Sequence, residues 1–280
     1  AQEIIKYVTY LSGGYAGIGA GFPNAIGYMT PQDTKVYLSP NMSFDYTLIE
    51  FNKLNATQAQ AQWFSEFDNL TKHAKRAMIH WPWHDYGPVN PNNLGYTAAM
   101  FENLISKAST YGSEFTTGKD LSNRITALHN AKLDVSQPNS TTVNVNLQST
   151  DAGRFAIDIP QASNGQKIKS VNSWYAYNDN QVFTDKDAGA YTVNLGTAAD
   201  AITHITQLPA RANLVSLTGN GEDLSFSIEG EGSMTILTKC NATPTITGAS
   251  SSSFNATTKT ATLKFTPAKT YNVALNMTCP

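Results

Sequence analysis

Hydrophobic and polar positions alternate in two different rhythms along this chain, and the rhythm changes near residue 134. Before that point the period is helical. Trp63, Phe67, Leu70 and Ala74 recur at i, i+4, i+7 and i+11, one face of an amphipathic helix, with Thr57-Gln-Ala-Gln60 ahead of them in the form of a capping box. Leu94, Ala98, Phe101, Ile105 and Ala108 predict a second helix over 94–111. Leu121, Ile125 and Leu128 predict a third, which Thr117 can cap with Asp120 at the third position. Strand-like runs lie between, at 35–38, 77–81 and 113–117. Residues 47–51 read as a strand or short helix following an irregular loop at 40–43. Strands alternating with helices predict parallel strands in an α/β layer or barrel.

From residue 141 onward the period is two. Alternating runs occupy 142–147, 154–159, 191–195, 213–217, 224–228, 234–238 and 271–275. Asn164-Gly165, Gly219-Asn-Gly221 and Glu229-Gly-Glu-Gly232 stand between them as turn signals, and 248–253 reads as a loop. Short alternating runs at this spacing predict an antiparallel β-sandwich. The expected organisation is therefore α/β plus all-β: an α/β domain over 1–133 and a β-sandwich module over 134–280.

Composition narrows the setting. The charged fraction is 14%, against about a quarter in an average domain. Asn, Ser and Thr take the place of Lys and Glu. The net charge of −2 gives no electrostatic case for nucleic acid as a partner. No stretch approaches the run of about 18 apolar residues that a membrane span requires. An amide- and hydroxyl-rich surface suits an extracellular protein or a sugar binder. The chain opens on Ala1 without a signal segment, so a trimmed chain is expected. Cys240 and Cys279 are expected to form a disulfide rather than stand as two thiols. Asn41, Asn55, Asn69, Asn139, Asn241, Asn255 and Asn276 head N-x-S/T triplets and are candidate glycosylation sites, although a chain this rich in Asn, Ser and Thr produces such triplets by chance.

The densest chemistry is Met78-Ile-His-Trp-Pro-Trp-His-Asp-Tyr-Gly87. His80 and His84 are four apart, but Pro82 between them favours extended chain, which would hold the rings about 13 Å apart and outside one metal sphere. His80, ending a strand, is placed for a general acid or base; the plainer reading is a structural histidine. Trp81, Trp83 and Tyr86 can stack on a pyranose or belong to the core, with Trp81 and Trp83 on one face of the strand. Adjacent His84 and Asp85 point to opposite sides and should find different partners. Asp45 reads as a turn aspartate. Trp174, Tyr175 and Tyr177 form an aromatic cluster that reads as sandwich core ahead of a carbohydrate-binding face.

From about residue 27 to residue 130 the chain resembles the C-terminal half of the catalytic domain of NodB-like polysaccharide deacetylases, secreted carbohydrate esterases acting on amino-sugar polymers. The residues that carry the resemblance are Val36-Tyr-Leu-Ser-Pro-Asn-Met-Ser-Phe-Asp45, the 78–87 segment and Glu114-Phe-Thr-Thr-Gly-Lys-Asp120. It implies a distorted, here partial, (β/α) barrel, with His80 protonating the leaving amine. Trp81, Trp83, His84, Asp85 and Tyr86 would be substrate-binding. It also implies a divalent metal, expected to be zinc, in the complete enzyme. The family's Asp-Asp and His-x-x-x-His motifs do not precede His80, so the metal ligands are not identifiable in this chain. The expected partners are a polysaccharide and the N-terminal part of the same protein that would supply those ligands.

Two other functions compete. One is a non-catalytic extracellular carbohydrate-binding, adhesive or surface-assembly protein. The other is a glycoside hydrolase, which needs two placed carboxylates; Glu50, Asp85 and Glu114 are available, but their spacing selects no pair.

Overall fold

The computed structural model describes residues 10–15, 27–28, 37–73, 79–89, 95–162 and 165–280. The chain divides into two compact units, Ala1–Asn123 and Arg124–Pro280. The described residues are mostly β-sheet, with the helices confined to the first half. No described helix is long and apolar enough to cross a membrane.

In the first unit, β1 (Tyr10–Tyr15), β2 (Gly27–Tyr28) and β3 (Tyr37–Asn41) form one sheet in the order β1-β3-β2. β1 and β3 run parallel, Tyr10 beside Tyr37 and Leu11 beside Leu38, while β2 is antiparallel to β3. The backbone continues from β3 into Met42, whose N–H donates to the His80 carbonyl at 2.8 Å, and so anchors the His80 segment beside the end of that strand. Residues 74–78, including the start of the expected 77–81 strand, lie outside the described part. After a π-helical turn at Thr47–Phe51 comes α1 (Ala56–His73), then a short α2 (Tyr86–Val89) and α3 (Ala98–Tyr111).

Helix α1 buries Trp63 and Phe67, with Leu70 at the margin, as its periodicity predicts; Ala74 lies outside the described residues. Its capping box sits two residues earlier than expected. Asn55 and Gln58 exchange hydrogen bonds, Gln58 N–H to Asn55 Oδ1 at 2.9 Å and Asn55 N–H to Gln58 Oε1 at 3.0 Å. Asn caps a helix as well as Thr does, so the sequence offered two equivalent starts. Helix α3 begins at Ala98 after Thr97, and buries Met100, Phe101, Leu104 and Ala108. Ile105 is exposed and Ala98 solvent-facing; Leu94 is outside the described part. The helix is turned toward its larger side chains, which gain more from burial than Ala98 does. Residues 113–117 form no strand. Gly112 ends α3 in a left-handed conformation (φ 94°), and the coil that follows leads directly into α4 (Gly118–Asn130). There Asp120 N–H bonds Thr117 Oγ1 at 3.2 Å, the predicted cap. Ile125 is buried, but Leu128 is exposed.

The second unit is antiparallel. β4 (Lys132–Asn139), β5 (Thr142–Gln148), β9 (Gly189–Gly196) and β7 (Lys167–Val171) form one sheet in the order β4-β5-β9-β7, and β6 (Ala156–Asp158) pairs with β8 (Gln181–Phe183). Alternate residues Val143, Val145 and Leu147 of β5 and Tyr191, Val193 and Leu195 of β9 share a core with Ile157 and Val182. The remaining strands are β10 (His204–Gln207), β11 (Ala212–Gly219), β12 (Leu224–Leu237), β13 (Thr245–Thr247), β14 (Ser251–Asn255) and β15 (Thr260–Asn276).

These six make a sheet that curls over its own core. β12 and β15 pair along nearly their whole length, from Leu224↔Leu275 to Leu237↔Thr260. β11 and β13 flank one end of the pair, and β10 and β14 flank the other. Side chains from both ends, Phe226 and Val273 as well as Ile236 and Leu263, belong to one cluster. That is possible only if the ribbon bends back on itself. The bend is at Gly230 and Gly232, where the register shifts and φ is 130° and 127°. The expected turn at 229–232 is thus a bulge within one long strand, and residues 251–253 of the expected loop belong to strand β14. Trp174 packs against both cores of the unit. The disulfide Cys240–Cys279 is formed, as expected.

Candidate functional site

Residues 42–46 leave β3 and turn into the π-helical segment. Three side chains of α1 hold that turn in place. Glu66 accepts from both the Ser43 N–H, at 3.0 Å, and the Ser43 hydroxyl; Gln62 donates to the same carboxylate at 2.9 Å; Trp63 Nε1–H donates to the Ser43 carbonyl at 2.9 Å. Ser43 and Asp45 are buried in consequence. The Asp45 carboxylate is fully buried and accepts three hydrogen bonds. They come from Tyr46 N–H at 2.8 Å, His84 N–H at 2.9 Å and His84 Nδ1 at 2.8 Å. A carboxylate can only accept, so Nδ1 carries a proton and donates it to Asp45. The His84 side chain is 42% exposed while Asp45 is 0% exposed. A buried carboxylate behind a half-exposed imidazole is the arrangement that fixes a histidine's tautomer and orientation for proton transfer.

Aromatic rings surround this pair. Trp81 packs edge-on to Trp63 at 5.0 Å, and Trp83 lies 6.0 Å from Trp81 and 5.0 Å from Phe101. The two tryptophan rings do adjoin, although residues 81–84 form no strand. Trp81 joins the core cluster, whereas Trp83 remains 42% exposed. Tyr46 stands edge-on to His84, with ring centroids 6.2 Å apart. His80 is half-buried, and burial lowers its pKa from the ordinary 6.5. Asp85 is exposed and opens α2 through its carbonyl, which accepts from Val89 N–H at 3.3 Å. The partner of His84 is therefore Asp45, and His84 and Asp85 go separate ways as expected. Tyr86 lies at the start of α2, but its side chain is outside the described part.

Among the described residues no three His, Cys, Asp or Glu side chains come together to hold a metal ion. Asp45 is committed to its three hydrogen bonds. The described residues do not fit a metal site. A shallow groove of about 540 Å³ lies apart from His84, between α1 and α3. Lys107 spans it, paired with Asp68 at 2.7 Å and over the Phe64 ring at 5.0 Å, so it offers no acid or base aimed at a ligand.

The other candidates separate into core and surface. Trp174 Nε1–H donates to the Phe183 carbonyl at 2.8 Å, and Tyr177 is buried, stacked on His204 at 4.0 Å. Both belong to the interior of the second unit. Glu50 accepts from Tyr96 Oη at 3.4 Å. Asn55, Asn69, Asn139, Asn241, Asn255 and Asn276 are exposed, and the Asn41 side chain lies outside the described part. Comparisons with models of protein families, with curated proteins and with solved structures return no match to this chain.

Asp45, which reads from the sequence as a turn aspartate, is instead the buried partner of His84. It stands 39 residues from His84, and no local spacing joins them. No sequence signal marked Asp45 for burial, because its partner comes from tertiary packing.

Proposed function

We propose that this chain is part of a secreted, metal-dependent polysaccharide deacetylase that hydrolyses N-acetyl groups of an amino-sugar polymer. Its α/β unit would be the C-terminal part of a deacetylase-type (β/α) barrel, and its antiparallel unit a β-sandwich accessory module. The observation that carries the reading is the Asp45–His84 pair, a half-exposed imidazole aligned by a fully buried carboxylate at 2.8 Å. Amide hydrolysis stalls unless the departing nitrogen receives a proton as its bond to the acyl carbon breaks. His84 Nε2 is suited to deliver it, and Asp45 stabilises the imidazolium from behind. Burial disfavours a charged His80, so we assign the proton donor's role to His84 and give His80 a place in the wall beside it. Trp83 would border the acetyl group. The divalent metal of this reading would be held by residues other than those described.

The test is acetate release from an N-acetylglucosamine polymer by the secreted protein that contains this chain. His84→Ala and Asp45→Asn are each expected to lower kcat by about 10²-fold or more. His80→Ala, measured alongside, should cost less. Full acetate release by His84→Ala would remove that residue from the chemistry. Polymer binding by a wild-type protein that releases no acetate would favour the carbohydrate-binding alternative.

A further inference from the structure

Beside His84 two aromatic side chains are held out to solvent. Tyr46 is 42% exposed and Phe51 is 71% exposed, a large apolar area for a chain to leave in water. Their rings meet at 5.4 Å and 74°, forming a corner. The backbone explains how residues five apart come to meet. In an α-helix, positions i and i+5 diverge by about 140° around the axis. Here Asn52 N–H bonds the Thr47 carbonyl at 2.9 Å, an i→i+5 bond, and the widened turn brings Phe51 round to the side of Tyr46. Such π-helical turns cost helix stability, and they recur where a site needs a side chain re-aimed.

We propose that Tyr46 and Phe51 form a sugar-ring platform, a subsite that takes the apolar face of one pyranose of an uncharged amino-sugar chain. The inference rests on the deacetylase reading for the identity of the sugar. Three features point to this occupant. The corner is built of aromatic rings, whose flat faces match the C–H face of a pyranose better than branched aliphatic side chains would. It adjoins the proton-carrying histidine, the Tyr46 ring standing 6.2 Å from that of His84, so a sugar stacked here would bring its acetamido group toward Nε2. Trp83, next to His84 in the chain, is exposed to the same degree as Tyr46 and offers a further aromatic face. Tyr46 and Phe51 are therefore positioning residues: they orient the ring and leave the proton transfer to His84.

The experiment uses the hexamer of N-acetylglucosamine as probe, with the secreted protein and its variants Tyr46→Ala, Phe51→Ala, Tyr46→Phe and Phe51→Tyr. Binding is read by titration calorimetry and turnover by acetate release. Each alanine variant is expected to weaken hexamer binding and raise KM by about 5- to 10-fold, with kcat much less affected. The aromatic-for-aromatic variants should stay within twofold of the parent, which a role in folding alone would not require. Unchanged binding in both alanine variants overturns the platform, whatever the activity. His84→Ala separates the two readings, because it should lower kcat by about 10²-fold or more while retaining the hexamer. If the parent binds the hexamer and releases no acetate, and the alanine variants still lose binding, the deacetylase reading fails and the platform stands.

Discussion

Three buried or half-buried polar side chains stand out: Asp45, His84 and, in the second unit, His204. The first two were each in view as residues, but the bond between them was not. A 39-residue separation is closed by the Ser43–Glu66 and Met42–His80 contacts, which belong to tertiary packing and leave no periodic trace. His204 has a measurable consequence of its own. It is 3% exposed, stacked on Tyr177, and donates Nδ1–H to the Ile202 carbonyl at 2.7 Å. Burial holds its pKa below the ordinary 6.5, with the Ile202 carbonyl and Asp179 pulling weakly the other way. The unfolded chain then binds the proton more readily than the folded one does. The stability from the neutral ring is complete above pH 6.5 and is lost as pH falls from there through the lowered folded value. Thermal midpoints of the second unit should therefore drop between pH 7.5 and 5, and His204→Gln should flatten that slope. An equal slope in the variant would assign the acid sensitivity elsewhere.

At the scale of elements, periodicity located most strands and helices but misjudged their ends. Both Asn55 and Thr57 satisfy the chemistry of a helix cap, and only the reciprocal bond with Gln58 decides between them. Helix α3 was placed correctly, yet its buried stripe is turned because Met100 and Leu104 outweigh Ala98. The larger miss was Glu229-Gly-Glu-Gly232. Glycines at that density signal a turn, and a bulge in a continuous strand makes the same demand for positive φ. The two outcomes differ only in where the partner strand runs. Gly230 and Gly232 are therefore sensitive positions. A Cβ at Gly230 would strike the Arg211 carbonyl, and one at Gly232 would come within 2.6 Å of Pro209 Cβ. Gly230→Ala and Gly232→Ala should each lower unfolding stability by about 1–3 kcal/mol in denaturant titrations. An unchanged midpoint would show that the bend is made without them.

For the molecule as a whole, the alternating second half predicted the antiparallel sheets that are present, and the disulfide was legible from two cysteines alone. What those cysteines secure was not legible. Cys279 follows β15 and Cys240 follows β12, and the same end of the chain is bound by Glu222 and Asp223. Glu222 accepts from Cys279 N–H at 2.9 Å, and Asp223 accepts from Met277 N–H at 2.8 Å. Lys239 pairs with Glu222 at 2.8 Å. Cross-linking across 39 residues should contribute roughly 4 kcal/mol through the unfolded chain, if the entropic account holds. Replacing both cysteines with Ser should therefore lower stability by up to about that amount, while the carboxylate contacts keep the C-terminal strand in register. Amide exchange at Met277 and Cys279 is the measurement; rapid exchange at both in the reduced form would show that the disulfide alone holds this end.

The curled sheet has one more consequence. β12 and β15 each thread both halves of the fold, so there is no seam between the halves: a load applied to one end of the ribbon is carried by the same two strands to the other. A protease or a pulling force then meets a single latch that opens entirely or stays shut.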